Sequence, residues 1–134
     1  MLNKCRNNTE GESDMPDWSI KIGPPGAKAP TVAVFTPDVY GQKPGDPVLH
    51  AQNGDLVSWN NTTGETHQPW PADANFNPLP DAQVSMTIGN YLSDPIPPGF
   101  SSSPSYNVVL PTTAPNILNY CCKLHPKEHG QIGP

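Results

Sequence analysis

Charge is scarce in this chain. Only 14% of its residues are Asp, Glu, Lys or Arg, and Lys plus Arg number seven. So few cations cannot neutralise a phosphate backbone, and the net charge of −5 points the same way, which excludes nucleic acid as a partner. Long apolar runs are missing, so no segment reads as a transmembrane helix. Uninterrupted helical stretches are missing too, because 19 prolines and 11 glycines are spread through 134 residues. Each interior proline removes a hydrogen bond and clashes with the preceding turn, which excludes a helical bundle. Hydrophobic residues make up only 34% of the chain, but they fall in organised short stretches, which argues against disorder throughout. The length suits one domain.

Cysteine is limited to Cys5, Cys121 and Cys122. An odd number cannot all pair within one chain, and the vicinal pair would close only with strain. Met1 to Arg6 contain no apolar core of a signal peptide. The chain is therefore either cytoplasmic or an exported protein whose leader is not part of this sequence.

What is present is a set of short strand patterns. Residues 1–17 are polar and patternless and read as a flexible tail ahead of a single domain at 18–134. Strands are expected at Trp18 to Ile22, Thr31 to Phe35, Val48 to Ala51, Leu56 to Trp59, Val84 to Ile88, Tyr106 to Leu110 and Ile117 to Cys122. Asn53-Gly54 reads as a hairpin turn joining the third and fourth of these. Pro37 to Pro47, Asn60 to Pro80 and Gly89 to Pro104 read as loops. A loop as long as 60–80 inside a compact domain is usually functional. Seven to eight short strands with Pro/Gly-rich turns predict an all-β sandwich.

Chemistry concentrates near the C-terminus, in Tyr120-Cys121-Cys122-Lys123-Leu124-His125-Pro126-Lys127-Glu128-His129-Gly130. A thiolate is followed three residues later by an imidazole, and Pro126 forbids a helix. The segment is then a tight loop able to turn both side chains onto one ion. A second imidazole, His67, lies in the long loop after Leu56 to Trp59. One thiolate and two imidazoles form the trigonal donor set of blue-copper sites, which usually add a weak axial ligand.

At this point the chain resembles the cupredoxins. Gly54-Asp55-Leu-Val57-Ser-Trp59-Asn60 followed by His67 is similar to that family's turn, strand and first histidine. Ile96-Pro97-Pro98-Gly99 to Tyr120 is similar to its Pro-Gly turn and following strands. Tyr120-Cys121-Cys122-Lys123-Leu124-His125-Pro126 resembles its Tyr-x-Cys-x-x-His-Pro ligand loop. The likeness runs over residues 31–133, and the short loop is most similar to the amicyanin and plastocyanin-like group. It implies a Greek-key sandwich and a copper ion cycling between Cu(I) and Cu(II), held by His67, Cys122 and His125. It also implies a hydrogen bond from Asn60 or Asn61 toward the Cys122 loop.

The pattern breaks at the fourth ligand. The residue three after His125 is Glu128, and no methionine follows Met86. Glu128 is then the candidate axial donor, with His129, water or a backbone oxygen as alternatives. A carboxylate is harder than a thioether and favours Cu(II) over Cu(I). Cys121 alternates to the opposite strand face and is structural or paired with Cys5, which argues against a binuclear centre. His50 reads as a strand-face residue with no role, and His129 as an exposed residue near the metal edge. Trp59 and Trp70 read as packing. Asn60-Asn61-Thr62 and Asn61-Thr62-Thr63 match a weak glycosylation signal. A structural zinc site would need a second ligand pair, which is absent.

These readings lead to a monomeric mononuclear copper protein that transfers electrons and is not an enzyme. Leu124, Pro126 and Pro71 would form an apolar rim where a transient redox partner docks. The implied location is periplasmic or otherwise extracytoplasmic. A ligand-accessible copper centre in catalysis or sensing, or a copper-storage or interaction module, are the alternatives on the same fold.

Overall fold

The computed structural model describes residues 17–37 and 46–134. The tail at 1–16, with Cys5, and most of the loop at 37–47 lie outside the described residues. Among the described residues, eight strands form two four-stranded sheets. They are β1 (Asp17–Gly23), β2 (Val34–Pro37), β3 (Val48–His50), β4 (Leu56–Asn61), β5 (Pro69–Pro71), β6 (Tyr106–Asn107), β7 (Leu118–Cys122) and β8 (His125–Gly133). One sheet has the order β2-β1-β4-β6 and the other β3-β8-β7-β5. No described helix is long and apolar enough to cross a membrane. The all-β sandwich expected from the sequence is what the chain forms.

Alternation builds the core. In β4, Val57 and Trp59 are buried while Leu56 and Ser58 face outward or sit half-buried. Ile20 and Ile22 do the same in β1, which runs parallel to β4. These side chains meet Leu49, Leu118, Tyr120, Cys122 and Ile132 from the other sheet in one cluster. Burying such side chains stabilises the fold by roughly 1.5–3 kcal/mol each. Tyr120 lies at its centre, edge-on to Phe35 at 5.0 Å and to Trp59 at 5.4 Å. The Trp59 indole N–H donates to the Tyr120 hydroxyl at 3.2 Å, so the polar ends of both rings are satisfied.

Several local expectations are corrected. Asn53-Gly54 does form a turn, with Gly54 at φ 93°, but it does not join a hairpin. β3 pairs with β8 and β4 with β1, so the turn carries the chain from one sheet to the other. Buried Asp55 holds that crossing. Its Oδ2 accepts from the Trp18 indole at 2.8 Å and from the Gln52 N–H at 2.9 Å. Val84 to Ile88 is not a strand. The Asn90 and Ser85 side chains take backbone groups of Gln83, Ser85 and Ile88 that a ladder would need. Met86 and Ile88 are consequently exposed. At 106–110 the pairing stops after Asn107, because the Val109 and Leu110 N–H groups donate to the Tyr106 hydroxyl and to Asn53 Oδ1. The strand expected at 31–35 is shifted to Val34–Pro37.

Two strands were not apparent from the sequence. β5 is Pro-Trp-Pro at a sheet edge, where a missing N–H costs no ladder bond on its outer side. β8 is hidden in the sequence by Pro126 and by its polar residues, yet it is the longest described strand.

Candidate metal centre

Three segments converge at one end of the sandwich. β7 and β8 are joined across Lys123 and Leu124, and Cys122 pairs directly with His125. A cross-strand pair shares one face, which brings thiol and imidazole together. The register then breaks. Cys121 pairs with His129 while Cys122 pairs with His125, so Pro126, Lys127 and Glu128 are extra residues on one strand. This bulge turns Glu128 back toward the site. The third segment carries His67, whose N–H and C=O both bond to Ile96, at 3.1 and 2.7 Å.

The result is a tight group of donors. The Cys122 thiol lies 3.6 Å from His67 Nδ1 and 3.5 Å from His125 Nδ1. Glu128 Oε1 lies 3.0 Å from His67 Nδ1 and 3.6 Å from His125 Nδ1. One donor atom from each of the four residues lies within 4.8 Å of every other. His67, Cys122 and Glu128 are buried, and His125 alone reaches the surface. The Gln68 N–H donates to the Cys122 sulfur at 3.3 Å, and the Lys123 N–H to the Gln68 carbonyl at 2.8 Å. These bonds fix the thiol loop against β5.

Glu128 is held by its second oxygen, which accepts from the Ala33 N–H at 2.8 Å. Its Oε1 is sealed from solvent, makes no aligned hydrogen bond, and has the two imidazoles of His67 and His125 as its charged neighbours. Burial pulls the His67 pKa down, but Cys122 and Glu128 outweigh it and push it up to about 9. Burial would raise the Glu128 carboxyl, yet His67, the Ala33 N–H and His125 bring it below the usual carboxylate range. A buried carboxylate oxygen grouped with a thiol and two imidazoles is a donor set that fits a cation. Thiolate and imidazole suit copper, and the same donors also suit zinc.

Other expectations divide. Cys122 belongs to the core cluster with Leu118 and Tyr120, and Cys121 does not. Burial raises the Cys121 thiol to about 11, with the Cys122 and Asp73 charges adding to it, so it is held as an inert thiol. His129 is exposed and stacks on Phe76 at 4.4 Å, outside the donor group. His50 bonds Asp46 and the Pro134 carbonyl at the far end of β3. Asn60 and Asn61 do not bond the Cys122 loop, contrary to expectation. Asn60 accepts from Ser101, while the Asn61 amide donates to the Glu65 and Ile96 carbonyls at 2.7 and 2.9 Å. Leu124 and Pro126 are exposed beside His125, but Pro71 is buried in β5 and is no part of a rim. A groove of about 260 Å³ lies between residues 29–32 and 125–128.

One residue at the site gave no signal in the sequence. Glu65 Oε1 lies 3.3 Å from His125 Nε2, the outward nitrogen. Its position two residues before His67 was the only available hint.

Comparison with known proteins adds the following. No family model matches the chain, and no curated protein sequence does. Among solved structures the chain is similar to a purple cupredoxin from Nitrosopumilus maritimus. The two share 18% identity over 86% of this chain and 96% of the other, with a TM-score of 0.54. It is also similar, more distantly, to amicyanin from Paracoccus versutus. Here identity is 13% over 91% of this chain and 82% of the other, with a TM-score of 0.45.

Proposed function

We propose that this chain, which has the cupredoxin fold, binds one copper ion and carries single electrons between protein partners. The observation that supports this most is the convergence of His67, Cys122, His125 and Glu128 on one buried point. These four residues would hold the ion, and bound copper would supply the exchange between Cu(II) and Cu(I).

The chain's own residues perform the rest. Cys122 and His125 are set by adjacent strands, and His67 by its paired bonds to Ile96. Ligands anchored on a rigid sandwich move little when the charge at the site changes, which keeps reorganisation small. Glu128, whose carboxylate is pinned by the Ala33 N–H, would serve as a charged donor to the ion in place of a neutral one. That added charge would favour the oxidised ion and so a lower reduction potential. Its donor chemistry is also expected to move the colour away from ordinary blue, and the structural neighbour is described as purple. The half-buried edge of His125, between exposed Leu124 and Pro126, is the expected exit for the electron. Such encounters use small, transient interfaces.

The test is the visible and EPR spectrum of the copper-loaded protein beside that of Glu128→Met. An intense thiolate-to-copper band in the first, shifted and accompanied by a higher potential in the second, supports the proposal. Tight zinc binding without a copper–thiolate band overturns it.

A further inference from the structure

The Glu65 carboxylate bridges two groups that belong to different segments. Oε2 accepts from the Ala29 N–H at 2.8 Å, and Oε1 faces His125 Nε2 at 3.3 Å. The loop that carries it is tied down along its length. The Asn61 amide and the Thr63 hydroxyl both donate to the Glu65 carbonyl, at 2.7 and 3.1 Å. The Gly64 N–H donates to the Ala27 carbonyl at 2.8 Å, and the Gly26 N–H to the Thr62 carbonyl at 2.8 Å. Gly64 itself packs so closely on Lys28 that a Cβ there would lie 2.8 Å from the lysine chain. The carboxylate is therefore delivered to His125 by a built loop.

Its chemical consequence follows from the two nitrogens of an imidazole. A carboxylate facing Nε2 accepts a hydrogen bond from an Nε2–H and so favours the tautomer with the proton on that nitrogen. Nδ1 then carries the free lone pair, and Nδ1 is the nitrogen that faces Cys122 and Glu128. A carboxylate on the outer nitrogen also makes the inner one a stronger donor and fixes the ring plane.

We propose that Glu65 is a positioning residue that sets the tautomer of His125, strengthens it as a ligand and closes the solvent edge of the site. Resting on the copper reading above, this assigns to Glu65 part of the control of metal retention and reduction potential. It also makes the outward edge of His125 negatively charged, where an apolar contact would otherwise be expected.

The test uses wild type, Glu65→Gln and Glu65→Ala. Glu65→Gln keeps an acceptor for the Ala29 N–H and removes the charge. In the metal-free protein, nitrogen NMR at a pH where the imidazole is neutral should report the proton of His125 on Nε2 in wild type. That preference should weaken in both variants. In the copper-loaded proteins, metal release to a chelator should accelerate about tenfold or more in both, and the reduction potential should rise. A purely structural Glu65 would instead leave tautomer, release rate and potential unchanged in Glu65→Gln and only lower the stability of Glu65→Ala, and this overturns the inference. If wild type shows no copper–thiolate band, the copper reading fails and this proposal with it. If the band is present and the variants match wild type, only the assignment to Glu65 fails.

Discussion

Glu128 Oε1 stands 3.0 Å from His67 Nδ1, with both side chains nearly sealed from solvent. In the metal-free protein this pair makes stability depend on pH. The His67 pKa is raised from 6.5 to about 9, so its contribution is complete below 6.5 and is lost as pH rises through about 9. The Glu128 pKa is lowered from 4.5, so its contribution is complete above 4.5 and is lost as pH falls through the lower folded value. The metal-free protein should therefore be most stable between these unfolded-state values. Urea unfolding should show a loss on the order of 3 kcal/mol between about pH 6 and pH 10. Cys122 also raises His67, so Glu128→Gln should reduce that slope without abolishing it, and an unchanged slope in the variant would refute the role given to the pair.

Cys122→Ser removes the thiolate and leaves the two imidazoles and the carboxylate. The copper-loaded variant should lose its intense visible absorption and show the EPR pattern of a site without sulfur. Retained intensity would mean that the sulfur ligand lies elsewhere.

Gly130 opposes Tyr120 across β7 and β8, and a Cβ at Gly130 would lie 2.1 Å from the tyrosine ring. Gly130→Ala must displace a ring buried at the centre of the core. The expected cost is about 3 kcal/mol, read as a lower urea midpoint. A near-neutral result would show that Tyr120 has room to move.

Asp55 satisfies the Trp18 indole and the Gln52 N–H at the crossing between the sheets. Asp55→Ala leaves both donors unpaired and should cost about 2 kcal/mol. Asp55→Asn, which keeps an acceptor, should cost less. Neither should change the copper spectrum, because Asp55 touches none of the four donors. A changed spectrum would show that the crossing and the metal end are coupled.

The grouping of Cys122 with His125 was legible because the two are three residues apart, and in the structure they flank the Lys123-Leu124 turn. The strands at Trp18 to Ile22 and Leu56 to Trp59 were legible because alternation marks a face buried on one side. From the residues alone one reads an all-β chain with a thiolate–imidazole loop and a carboxylate in place of a thioether. Pairing was beyond that reach. Asn53-Gly54 carries every local mark of a hairpin, yet whether the flanking strands pair depends on β1 and β8, which are distant in sequence. Glu65 was hidden for the same reason, since it meets Ala29, 36 residues away, and His125 only after both sheets form. The fate of Glu128 was likewise decided by folding: the bulge between Cys121 and Cys122 and the N–H of Ala33 aim its carboxylate inward. Periodicity and turn chemistry act over a few residues. A buried site is made by contacts between segments, and these exist only once the chain has packed.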